Sequence, residues 1–115
     1  MTYQNISFTL KKKKFKIKAR ICGCFQKIRG LMFRKKENAE TLLFEFSKPT
    51  KMKIHSFFVF FDFIAIWFDE KGRIIEIKRI KPFTFCAFPR KFYFKLLEIP
   101  LNSKYKKFQK FLVGD

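Results

Sequence analysis

His55, the chain's single histidine, and Asp62, set in a nearly unbroken apolar run, lie in the stretch KIHSFFVFFDFIAIWFDEKG at residues 53–72. A carboxylate beside an imidazole fixes its tautomer and raises its basicity, so this pair has the chemistry of a proton-transfer or anion-orienting site. The plainer alternative puts His55 on a strand surface and Asp62 against a partner, because a lone buried carboxylate is costly. That partner would be a basic residue such as Arg34 or Arg29, or backbone amides at a bend. A structural ion pair or hydrogen bond ranks first for Asp62, ligand binding second and catalysis third.

Arg29 and Arg34 flank GLMF and are candidates to hold an anion. Phe33, Phe83, Phe85, Phe88 and Trp67 are candidates to stack on bases, the way single-stranded nucleic acid is held without sequence preference. Most of the 19 phenylalanines must nonetheless fill the core. Cys22, Cys24 and Cys86 with His55 could supply a thiolate-rich metal site. Cys-Gly-Cys is tighter than a zinc hairpin and has no second paired motif, so free cysteines in or near a core are the better reading. The sequence has no Gly-rich phosphate loop, nucleophile elbow, paired catalytic carboxylates or metal triad. No cofactor or metal is therefore expected, and a binding or structural module is favoured over an enzyme.

The elements that would position these residues belong to one domain, residues 1–115, long enough to bury a core without metal or disulfide staples. A hydrophobic fraction of 48% with 20% aromatic residues excludes a disordered chain. Lys and Arg number 27 against 9 Asp and Glu, a formal net charge of +18. Such a surface attracts polyanions, so nucleic acid or anionic lipid should bind at least weakly at low salt, and a weakly specific nucleic-acid-binding protein is the runner-up reading. Lys and Phe also share AT-rich codons, so genome composition is the bland explanation of the excess.

The N-terminus places its basic cluster after a short apolar stretch, the reverse of a signal peptide, and three cysteines make no disulfide framework. A cytoplasmic setting is expected. The run from Phe57 to Phe68 is shorter than a bilayer span, is broken by Asp62 and meets Asp69, Glu70, Lys71 and Arg73 at its end, which argues against a transmembrane helix.

Its β-branched and aromatic content predicts extended chain buried on both faces. Asp69, Glu70, Lys71 and Gly72 then make a hairpin turn with Gly in the left-handed position. Beyond it Ile75, Ile77 and Arg79 alternate with Glu76, Lys78 and Ile80, until Pro82 ends the strand. NISFTL and FKIKARIC alternate likewise, pointing Phe15, Ile17 and Ala19 inward and Lys16 and Lys18 outward, with Lys11 to Lys14 as a solvated turn or edge guard. TLLFEF, MKIHSFFVFF and FYFKLLEI read as further strands. One or two helical turns are expected around Phe25, Ile28 and Leu31, and a last helix capped by Asn102 or Ser103 carries Tyr105, Phe108, Phe111 and Leu112. The fold expected is mainly β, a barrel or sandwich with one or two short helices.

RGLMFR, LLFEF, IHSFFVFFDFIAIWFDEKGRIIEI, KPF, LLEIP and VGD follow one another in an order and spacing that resemble an uncharacterised bacterial and archaeal family, domain of unknown function 192, also called uncharacterised protein family 127. The similarity covers about residue 15 to the C-terminus. It implies a compact, mostly β barrel or sandwich and implies no activity. Where relatives commonly read Phe-Pro-Ile-Asp, this chain has Phe61, Asp62, Phe63 and Ile64, so the family's acidic position is Ile64 and Asp62 stands at the usual proline. A shift of two residues along a strand keeps a side chain on the same face.

Overall fold

The computed structural model describes residues 2–22, 31, 35–54, 59–84, 86–102 and 105. Six strands are described: β1 (Tyr3–Leu10), β2 (Lys13–Ile21), β3 (Leu42–Thr50), β4 (Phe63–Phe68), β5 (Ile74–Ile80) and β6 (Tyr93–Pro100). They form one sheet in the order β1-β2-β3-β6-β4-β5, antiparallel throughout except for the β2–β3 pair. A 3-10 turn spans Lys36–Asn38.

The alternating side chains read from the sequence set the register. Ile6 pairs with Ile17 and Phe8 with Phe15, placing both strands' apolar side chains on one face, while Lys16 and Lys18 are exposed. Leu10 pairs with Lys13, so Lys11 and Lys12 alone make the loop, with φ of 51° and 66°. A two-residue hairpin in a right-twisted sheet needs positive φ at both central positions, and here two lysines supply it instead of Asn-Gly. The second hairpin has its glycine: Gly72 sits at φ 80°, its N–H donating to the Asp69 carbonyl at 3.1 Å.

Phe8 in β1 touches Phe68 in β4 at a centroid distance of 6.0 Å, although β2, β3 and β6 lie between those strands in the sheet. Contact across so many strands requires the sheet to curl, giving a half-barrel. Its concave side is filled by Ile6, Phe8, Phe15, Ile17, Ala19, Leu43, Ile64, Ile66, Phe68, Leu97 and Ile99. The other face carries Leu42, Phe44, Phe63, Ala65, Trp67 and Leu96 and is covered by the long connections, which contribute Cys22, Leu31, Ala39, Ile54, Val59, Phe61 and Ala87. All six residues of β4 are buried, as expected of a strand covered on both faces.

Two expectations change. MKIHSFFVFF is not a strand where it is described: Ile54 makes an isolated bridge to Ala87, and Val59 and Phe61 pack onto the sheet while Phe60 is exposed. An apolar run is equally served by pairing within a sheet or by lying across one, which periodicity does not separate. Ile80, assigned to the polar set of its strand, does share the face of Glu76 and Lys78 but is buried opposite Phe63, because that end of the strand packs into the apolar cluster under the connections. The helical turns around Phe25 and Ile28 and the helix beyond Ser103 fall outside the described residues. Asn102 is buried, and its Nδ2 donates to the carbonyls of Lys36 and Ala39 at 2.7 and 3.0 Å, fastening the end of β6 to the β2–β3 connection.

Candidate functional site

Of the four residues singled out as ligand-binding candidates, His55, Arg29 and Arg34 lie outside the described residues. Asp62 directly precedes β4, and its Oδ2 accepts from Arg79 Nε at 2.8 Å. A basic partner of the expected kind thus comes from the neighbouring strand, as Arg79. Register explains the choice: Arg79 lies opposite Ile64, two positions along from Asp62, so the pair are diagonal neighbours on one face. With half of the Arg79 side chain in solvent, the interaction is worth about 0–1 kcal/mol. Trp67, offered above as a stacking surface, is fully buried. A strand covered on both faces leaves no ring for a ligand.

A different group of aromatics is displayed. Met52, Phe60, Phe83, Phe88 and Phe92 are exposed, four phenylalanines at 60, 52, 47 and 58% in that order, and all five sit on two connections, residues 51–62 and 81–92. The first connection crosses over β6 and the second over β4, on the same face of the sheet. Ile54 and Ala87 exchange backbone hydrogen bonds of 2.8 and 2.7 Å, and the Tyr93 hydroxyl donates to the Met52 carbonyl at 2.7 Å, so the two segments are held side by side. Burial pushes the Tyr93 pKa up to about 12, keeping that donor protonated.

Lysines interleave with the rings. Lys51 Nζ lies 4.9 Å from the Phe92 centroid, while Lys53 and Lys78 Nζ lie 5.4 and 5.9 Å from Phe88. Phe60 and Phe83 meet edge to face at 5.8 Å. Exposed apolar rings carrying cations offer one surface to stacked bases and another to phosphates. Phe83 and Phe88 were legible as candidates, whereas Phe60 and Phe92 were not, since exposure is a property of the folded chain.

Beneath the connections lies a second feature. Glu98 of β6 stands between Leu42 and Ala65 and points into the apolar cluster on that face. It is 6% exposed and makes no hydrogen bond or ion pair among the described residues. Desolvation raises its pKa to about 8, so at neutral pH it is a neutral acid with a proton to donate. The buried Trp67 Nε1, a diagonal neighbour on that face, also lacks a hydrogen-bond partner among the described residues. Glu98 had a sequence signal, an acidic residue inside the apolar run LLEIP, that the search for catalytic pairs passed over. Cys22 is buried in the same cluster and Cys86 is exposed, and no group of three or more metal ligands assembles among the described residues.

A family profile described as "Uncharacterized ACR", domain of unknown function 192, matches residues 8–106. The chain belongs to that family. The match begins before residue 15, where the motifs first show the resemblance. Two solved structures share the fold of this family member. A protein of unknown function from Novosphingobium aromaticivorans DSM 12444 superposes with a TM-score of 0.76 at 14% identity, over 93% of this chain and 79% of its own. A candidate transcription regulator from Sinorhizobium meliloti 1021 gives 0.75 at 16% identity, over 95% and 89%. At those identities the likeness is one of fold. None of the curated proteins matches the chain. No helix among the described residues is long and apolar enough to cross a membrane.

Proposed function

We propose that this family member is a binding domain rather than an enzyme, and that its aromatic and lysine-bearing face takes single-stranded nucleic acid. One observation carries the reading: Phe60, Phe83, Phe88 and Phe92 are exposed together on two connections fastened to each other, with lysine ammonium groups over two of the rings. Single exposed apolar residues are ordinary, but four phenylalanines displayed along two connections that cover one face of the sheet, two of them in ring contact, are not. A charge of +18 supplies the attraction to phosphate, and the rings supply contacts that salt does not screen.

Fluorescence anisotropy with labelled single-stranded RNA and DNA homopolymers tests the reading. Affinity should fall steeply with salt, and Phe88→Ala or Phe92→Ala should each weaken binding at fixed salt by about 1–3 kcal/mol without changing the salt slope. Equal affinity for the phenylalanine variants and the parent protein would reduce the interaction to unspecific attraction and remove the proposal. The carboxylate of Asp62 is engaged by Arg79, and His55 lies outside the described residues.

A further inference from the structure

Among the described residues strand β5 ends the sheet and pairs on one side only, with β4. Along it runs an open cleft of about 930 Å³, lined by Asp69, residues 73–78, Arg90 and Lys91. Successive side chains of a strand point to opposite faces, so six consecutive residues line one cleft only if it follows the strand's free edge. The outward backbone N–H and C=O groups of Ile74–Ile80 find no partner among the described residues. Ile74, Ile75 and Ile77 are half-buried, giving the edge apolar footing.

The cleft is also charged. Arg73, Lys78, Arg90 and Lys91 face Asp69 and Glu76, and both carboxylates are already engaged. Asp69 accepts from the backbone N–H of Lys71 and Arg73 and from Arg73 Nε, at 2.9, 2.8 and 2.9 Å. Glu76 accepts from the Arg90 N–H at 3.3 Å and pairs with Lys78 at 3.2 Å. The remaining positive charge is left to an incoming group.

We propose that the β5 edge is a docking site for an extended acidic segment of a partner protein, which adds to the sheet as a seventh strand and sets its carboxylates against Arg90 and Lys91, the two cations of the cleft not already paired with Asp69 or Glu76. Strand addition supplies affinity through main-chain hydrogen bonds, and the flanking side chains select the partner. A second copy of this chain is the poorer occupant, because pairing β5 with itself brings together two basic edges on molecules of charge +18. The site adjoins the aromatic face proposed for nucleic acid, since Arg90 and Lys91 lie between Phe88 and Phe92 in the chain and Lys78 stands over the Phe88 ring.

The probe is a labelled eight-residue peptide of alternating Val and Glu, titrated into the full chain at physiological salt, beside the same peptide N-methylated at every residue. Charge is equal in the two, so loss of main-chain donors alone should weaken binding by at least about tenfold. Arg90→Glu with Lys91→Glu should weaken the parent peptide about as much. Phe60→Ala should leave it unchanged, and amide exchange should slow across residues 74–80. Three results would overturn the inference: equal binding of both peptides, displacement of the peptide by a single-stranded oligonucleotide, or a concentration-dependent dimer formed through β5.

Discussion

The two faces of the sheet are covered by different means, and the difference separates structure from chemistry. On the concave face the β1–β2 hairpin curls over β4, and because strand pairing satisfies the backbone, the side chains there need only be apolar. On the other face irregular connections lie across the strands, and polar groups are buried beneath or against them: the Tyr93 hydroxyl on the Met52 carbonyl, Asn102 on the Lys36–Asn38 turn, and Glu98 and the Trp67 indole N–H. The same connections carry the exposed phenylalanines. A rigid sheet thus serves as scaffold while the connections present the recognisable chemistry.

Adjacent residues of β4 test this division most strongly. Trp67→Ala and Phe68→Ala empty opposite faces and should each cost about 3–5 kcal/mol in urea unfolding. Only the tryptophan change should weaken oligonucleotide binding, since Trp67 packs against Tyr93 under the aromatic face. If Phe68→Ala weakened binding equally, the two faces would not be functionally distinct.

Glu98 gives the next effect. Its folded pKa of about 8 lies above the ordinary 4.5, so the folded chain holds a proton that the unfolded chain has lost between those values. Stability contributed by the neutral acid is complete below pH 4.5 and declines as pH rises toward about 8, by at most about 1.4 kcal/mol per pH unit. Glu98→Gln should abolish that decline, matching the parent protein near pH 4.5 and exceeding it near pH 8, as read from denaturant midpoints. An unchanged slope would mean that the carboxyl is ionised within the fold.

Tyr93→Phe removes the hydroxyl that fastens residue 52, with an expected loss of about 1 kcal/mol and weaker oligonucleotide binding by a few-fold. The smallest change sharpens the concave side: Lys11→Asn with Lys12→Gly relieves two lysines at positive φ and should raise stability by about 1 kcal/mol without affecting binding. A fall in melting temperature would show that those lysines are held by contacts worth more than the backbone cost.

The alternation in FKIKARIC and NISFTL was enough to place β1 and β2 and their buried faces, and the charged loop ending in Gly72 was enough to place the β4–β5 hairpin. Asp62 was legible as a residue needing a partner, yet the identity of that partner was not, because Arg79 reaches it through strand register and not through sequence proximity. The aromatic face was half legible for a similar reason: 19 phenylalanines look alike in one dimension, and only the paths of two crossing connections decide which are displayed.

What the sequence by itself determined is local: periods of two, turn residues, a basic excess and the motifs of a family, each the product of neighbouring side chains. Tertiary structure decided which strand ends the sheet and so leaves an open edge, which carboxyl loses its water and holds its proton, and which rings face solvent. Each of these depends on groups distant in the chain, whose desolvation and pairing exist only once the sheet has curled and its connections have crossed it.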